Sequence, residues 1–434
     1  NNYWTTFDQS TTCYRFVSVT INDTNNNNTI KIMLDHNIGM SNYSNYKNEL
    51  LNRTSSWSRY KNKYTIDIID EDTIFELLKF ESKPNKTKTS VIRGFNVLYY
   101  FSNSIYIING KTINEKGFWT KTEYNEQYSY AISSSGYNNI ISISTKLGIR
   151  PVLNIKKSLL NIDSGLINIT DIIKNGNKIN IKPETTLYDG FKYGGLQGMT
   201  LTNDKLIFMS ANSNNPSKSI MYSYKLDDYK NISKKDYNDT AHGNGMTYNS
   251  KTDKVLVVVN YNNRTIYEYN GKTLIREKEY NSSSFPSTNG IGYDYKNDLY
   301  IGRNSPNLFF FDPVKKVKLF QFSIFKFEAS QGLEYYDGYI FDCNSDFGVV
   351  QNSQDYSFNK GYEIIYVYDT KLDQNKNPTK NFGRLIARLS MTHLGELESL
   401  SFRDGYVYIG FNSNGYTFYK IEFNKFIKKI KKVS

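Results

Sequence analysis

Two carboxylates stand two positions apart in Gly395-Glu396-Leu397-Glu398-Ser399. On an extended strand that spacing puts both side chains on one face, roughly 6–7 Å apart along it. A third, Glu334, sits in Gln331-Gly332-Leu333-Glu334-Tyr335. Two acids aimed into one cleft can run glycoside hydrolysis, one giving a proton and the other attacking or activating water. Carboxylates and carboxamides converging on one point can instead supply the about six to eight oxygens that Ca²⁺ requires.

The carboxamides arrive through repetition. A five-residue phrase recurs: a polar side chain, a small residue, an apolar residue, any residue, then an aromatic or Leu. It reads Gln197-Gly198-Met199-Thr200-Leu201, Asn244-Gly245-Met246-Thr247-Tyr248, Asn289-Gly290-Ile291-Gly292-Tyr293, Gln331-Gly332-Leu333-Glu334-Tyr335 and Glu398-Ser399-Leu400-Ser401-Phe402. The recurrence is every ~40–50 residues except across one longer interval, which is the period of four-stranded propeller blades. Second strands are expected at Lys205–Ser210, Lys254–Val259, Asp298–Gly302, Gly338–Cys343 and Gly405–Phe411, with third strands after each. Asp337-Gly338 and Asp404-Gly405 supply turns. The fifth blade lacks a fourth strand, so one is expected from Thr185–Phe191, closing the ring without an open edge. The expected fold is mainly β: a five-bladed β-propeller over 185–424, preceded by a small α+β domain.

In a propeller the phrase has a place. Inner strands crowd around the axis, so Gly or Ser permits close backbone approach. The following Met, Ile or Leu packs between blades, and the leading polar residue faces the channel. Gln197, Asn244, Asn289, Gln331 and Glu398 thus form a candidate ligand-binding ring, with His242, Glu334 and Glu396 in or near it. Candidate calcium ligands are Asn244, Gln331, Glu396 and Glu398. The plainer reading is a ring that satisfies channel waters and blade backbones. The long interval places an extra segment, 345–360, on the same face. Its Asp346 and Tyr356 suit hydroxyl hydrogen bonds and sugar stacking.

Composition narrows the class. Hydrophobic content of 38% with 22% charge belongs to a folded chain, and 434 residues suggest more than one domain. Apolar runs such as Val255–Val259 are strand-sized, too short to span a membrane as a helix. The first residue is Asn, not Met, so removal of a targeting segment or anchor is expected. The net charge of +12 is dispersed except for the basic tail 425–434, which reads as a solvated end or as an attractor of anionic polymers. No aromatic–basic signature of a nucleic-acid module is present. Two Cys and three His form no disulfide framework, zinc spacing or protease motif.

Ahead of the repeats, strands are expected at Tyr14–Val19, Thr29–Asp35, Val97–Tyr100 and Ser104–Ile108, with a helix over Asp70–Leu78. The α+β domain spans 1–160, and a linker 161–184 leads into the propeller. Ile30–Gly39, Gly117-Phe118-Trp119-Thr120, Tyr128–Ser133 and Gly148-Ile149-Arg150-Pro151-Val152-Leu153-Asn154-Ile155 resemble a small domain of unknown function in bacterial surface proteins. That resemblance implies a C-type-lectin-like fold over roughly Asn1–Leu160. Trp119 reads as core, and Arg150 as the partner of a nearby carboxylate.

Ala241–Asn249, Gln331–Phe341 and Gly395–Phe402 resemble helveticin-J-type bacteriocins and related secreted propellers of Gram-positive bacteria. A weaker likeness runs to the five-bladed calcium-dependent apyrase, where Gln331 departs from that family's Glu. These resemblances imply an extracellular or cell-surface protein acting on other cells or on wall polymers.

The resulting reading is an adhesin- or bacteriocin-like protein that binds a cell-surface glycan or wall polymer, with other surface proteins as further partners. No catalytic residue is assigned. The alternatives are a calcium-dependent hydrolase (glycosidase or apyrase-like) using Glu334, Glu396 and Glu398, and a structural subunit of a surface appendage.

Overall fold

The structure is a computed structural model. It describes residues 16–18, 29–34, 37–55, 64–78, 105–108, 111–114, 117–133, 138–156, 167–168, 177–179, 185–187, 195–211, 215, 218–226, 228–238, 242–259, 265–304, 307–324, 329–345, 362–379, 382–392, 396–413 and 415–424. Among these residues the chain is mainly β.

The N-terminal part holds two five-stranded sheets. One is built around Thr29–Leu34, which pairs with Phe16–Ser18 and Pro151–Lys156. The other is built around Phe118–Asn125 and Tyr128–Ile132. Trp119 is fully buried, donates its indole N–H to the Ser41 carbonyl (2.8 Å) and meets Tyr43 edge-on, so it is a core residue. The helix Glu71–Leu78 starts where its acidic first turn predicts, with Asp70 Oδ1 accepting the Thr73 N–H at 2.7 Å. A second helix, Tyr46–Arg53, is absent from the sequence reading. Its signal is Tyr46 and Leu50 buried one turn apart, beside an exposed Glu49–Arg53 pair. The buried Arg150 donates to Asn37 Oδ1 (3.0 Å) and lies over the Phe118 ring, an amide and an aromatic face among its partners. The expected strand Val97–Tyr100 and the basic tail lie outside the described residues.

The C-terminal part is propeller-like. Four sheets each run four antiparallel strands in chain order, and they begin at Gly195–Leu201, Gly245–Asn249, Ile291–Asp294 and Ala329–Tyr336. A fifth takes Glu396–Arg403, Tyr406–Ser413 and Gly415–Glu422, and its outer position is filled by Thr185–Leu187. The five innermost strands touch in cyclic order, first to second and so on, with the fifth back against the first.

Apolar layers between neighbouring sheets hold the ring. Met199 and Phe208 pack against Tyr416 and Phe418 between the first and fifth sheets. Met246, Val255 and Val257 pack against Ile207 and Met209 between the first and second. Phe310, Phe320 and Phe382 pack between the third and fourth. A fully buried side chain of this size contributes about 1.5–3 kcal/mol. Asp337-Gly338 and Asp404-Gly405 both take positive φ at each residue, the type I′ hairpin geometry that Asp-Gly favours.

Segment 161–184 carries strands of its own. Ile167–Asn168 pairs with Phe16–Ser18, and Asn177–Ile179 pairs with Arg384–Thr392 at the outside of the fourth sheet. The hairpin Ile105–Ile108 and Lys111–Asn114 joins the outer strand Val317–Ser323 of the third sheet. The N-terminal part is therefore attached to the ring by backbone hydrogen bonds at two outer edges.

The small residue of each phrase sits where inner strands nearly touch. A Cβ on Gly332 would lie 2.7 Å from Ser399 Cα and 2.8 Å from the Glu398 carbonyl. Gly332→Ala is expected to lower stability by about 1–3 kcal/mol, the usual penalty of overpacking, in a urea melt. An unchanged midpoint would mean the strands are not that close.

Candidate functional site

The inner strands have two ends, and chemistry collects at both. At the starting end, register shifts fall on the polar residue of the phrase in three sheets, at Leu196/Met199, Ser330/Leu333 and Leu397/Ser399. Such bulges insert residues without ladder partners and re-aim their side chains.

His242 Nδ1 donates to Gln197 Oε1 at 2.8 Å, and Gln331 Nε2 donates to Glu396 Oε1 at 2.7 Å. Asn289 Oδ1 accepts from Arg303 Nε at 3.0 Å. The same guanidinium forms a fully buried ion pair with Asp342 and donates to the Gln331 carbonyl. Asn344 supports Asp342, donating to its carbonyl at 3.0 Å. Glu363 accepts the Leu397 N–H at 3.1 Å. Asn244 Oδ1 is buried without a hydrogen-bond partner.

Burial raises the carboxyl of Glu396, against hydrogen bonds from Gln331 and Glu398. Glu398 is pushed well up, first by burial and then by the neighbouring charges of Glu396 and Glu363. The two carboxyls lie close enough to influence one another's protonation.

The structure thus joins Gln331, Glu396 and Glu398, pairs Gln197 with His242, and ties Asn289 to Arg303. Arg303, Asp342, Asn344 and Glu363 escaped the sequence reading, because each is a single polar residue on a second or third strand where the phrase does not recur. Asp346 and Tyr356 lie outside the described residues. Among the described residues no three His, Cys, Asp or Glu are placed to hold a metal ion. Calcium does not fit this end as arranged: the oxygens of Asn289 and Glu396 already accept from donors, and a guanidinium sits among them.

Glu334 belongs to the opposite end. It is three positions past Gln331, roughly 10 Å along the strand, and it does not join the Glu396–Glu398 pair. There the fourth and fifth positions of the phrase, with the turns that follow, line a cavity of about 270 Å³. Its floor is polar and buried: Glu334, Thr200, Thr247 and Ser401, each from a different inner strand. Gly292 completes that level, where a Cβ would meet the Tyr335 nitrogen at 3.1 Å.

Glu334 Oε1 accepts the Tyr335 N–H at 3.0 Å, and Ser401 Oγ lies 3.4 Å from Oε2. The Thr200 hydroxyl is buried without a partner. Burial pushes the Glu334 carboxyl up to about 8, against hydrogen bonds from Tyr335, Ser401, Tyr293 and Thr247.

The walls are aromatic. Tyr248 and Tyr293 are steered by bonds from their hydroxyls to Asp253 (2.9 Å) and Asp298 (2.7 Å), aspartates held at positive φ in the turns below. Tyr336 stacks on Phe402 at 4.8 Å. Tyr295 stands 45% exposed at the rim. The phrase's fifth, aromatic position lines this cavity, a role that its recurrence alone did not indicate.

No family model matches the chain, and no curated protein matches it. Among solved structures it is similar to a Myxococcus xanthus glutaminyl cyclase, 12% identical with a TM-score of 0.38, over 56% of this chain and 94% of that one. It is also similar to the Neurospora crassa Pan2 WD40 domain (10% identical, TM-score 0.32, 57% and 99% covered) and to the RRP9 WD40 repeats (7%, 0.32, 55% and 99%). Scores this low carry no statement about what the chain does.

Proposed function

We propose that this is a recognition protein of the cell surface, a five-bladed propeller that binds a glycan or wall polymer at the aromatic cavity. The observation that carries the reading is that cavity. Tyr248, Tyr293, Tyr335, Tyr336 and Phe402, from four inner strands, surround a floor of hydroxyls and one carboxyl. Aromatic walls pack against the apolar faces of sugar rings, while a polar floor orients their substituents. The kinship with helveticin-J-like secreted propellers and with C-type-lectin-like surface domains belongs to the same proposal. So does an extracellular location.

Tyr336→Ala is expected to weaken binding of wall fragments by about tenfold, as loss of one stacked aromatic implies, with the circular dichroism of the full chain unchanged. Titration calorimetry against purified wall fragments reads this out. No binding by the parent chain to any fragment would overturn the reading.

The neighbouring carboxyls of Glu396 and Glu398, both raised by burial, support a second reading, a hydrolase working at the other end of the channel. It requires release of reducing sugar from wall fragments that stops in Glu398→Gln.

A further inference from the structure

We propose that the floor of the aromatic cavity takes a cationic group, a protonated or quaternary amine carried by the ligand, with Glu334 as its counter-ion. The inference rests on the proposed recognition function and names the chemistry of the bound group. Three observations carry it.

The first is the charge inventory of the cavity. Glu334 is the buried ionisable group on the floor. It is faced by Thr247 of the second inner strand, Tyr293 of the third and Ser401 of the fifth. Behind it, on the adjacent strand of its own sheet, lies the buried Cys343, whose thiol burial pushes well up. Tyr248, Tyr293, Tyr335 and Tyr336 are likewise raised by burial and stay neutral near pH 8. The rim charges are committed elsewhere: Arg403 donates to the Thr202 carbonyl and pairs with Asp404 at 2.9 Å, and Lys296 pairs with Asp337. No protein cation meets the Glu334 carboxyl among the described residues, so the carboxyl holds a proton until a ligand brings the missing positive charge.

The second observation is the wall. Aromatic rings attract cations through their faces, most strongly where water is excluded, and six of them line this cavity. An anionic ligand would meet the same rings and the Glu334 carboxyl, while the cation of the lining, Arg403, is turned to the Thr202 carbonyl and Asp404. The third is the orphaned Thr200 hydroxyl, 1% exposed and unpartnered in the cavity lining. A buried hydroxyl without a partner marks a position where a donor or a polar substituent of a ligand belongs.

Binding of such a group forms one ion pair and releases the Glu334 proton to solvent. A non-titrating probe makes this measurable: choline against its uncharged carbon isostere, dimethylbutanol, titrated into the full chain. Choline affinity is expected to rise by about tenfold per pH unit from pH 6 towards 8 and then level off. Calorimetry at pH 6 in buffers of different ionisation enthalpy should show close to one proton released per choline bound. Glu334→Gln should abolish both the pH dependence and the proton release, while Tyr336→Ala should weaken choline binding at every pH. Equal affinity for the isostere, or choline binding without proton release, would overturn the inference. If wall fragments bind and choline does not, the cation subsite falls and the recognition function stands. If neither binds, both fall.

Discussion

Arg303→Ala is expected to lower the unfolding free energy by about 3–5 kcal/mol, read from urea melts of the full chain. The side chain is fully buried in the second strand of the third sheet. Its guanidinium reaches Asp342 of the fourth sheet, the Gln331 carbonyl and Asn289 Oδ1. Removing it leaves the equally buried Asp342 as an unpaired charge, and breaking a buried pair from one side carries a penalty of that size. Replacing both partners by apolar residues, Arg303→Met with Asp342→Leu, should recover most of the loss, because the desolvation of both charges disappears together. If the double variant were as unstable as the single one, the stabilisation would lie in the hydrogen bonds to Asn289 and Gln331.

The stability of the ring should fall as pH rises from about 5 to 9. Burial holds the carboxyls of Glu334, Glu396 and Glu398 above their unfolded values. An acid raised by folding binds its proton more tightly in the folded state. The stability it contributes is therefore complete below the unfolded value and is lost as pH climbs through the folded one. For Glu334 that window runs from 4.5 to about 8, an upper bound on the order of 5 kcal/mol. Glu334→Gln keeps a neutral amide in the same volume. Its melting temperature should exceed the parent's at pH 9 and match or fall below it at pH 5. Parallel pH profiles for the two proteins would show that Glu334 is ionised throughout.

The architecture was legible in the sequence because the phrase encodes a packing requirement repeated five times. Gly198, Gly245, Gly290 and Gly332 mark backbone crossings, and Met199, Met246, Ile291, Leu333 and Leu400 mark the layers between sheets. The closing strand at Thr185–Leu187 followed from counting strands. The ring of amides was legible as a set of positions, but its electrostatics were not. Arg303 sits in Leu299–Asn304 with no periodic signal, and it reaches ring residues distant in sequence only through the curvature of the ring. The cavity was hidden for the opposite reason. Its tyrosines occupy positions that strand alternation assigns to the interior, and only the turns at Asp253 and Asp298 show that their hydroxyls point towards an open end.

The clasp at Thr185–Leu187 also has a bearing on synthesis. These three residues leave the ribosome before any of the inner strands, yet their partner Gly415–Glu422 is made only after all five inner strands. The first four sheets can assemble as they emerge, while the ring stays an open arc with an unpaired edge. Closure waits until more than two hundred residues have been added, so throughout elongation the nascent chain carries an exposed strand edge able to pair with the wrong neighbour.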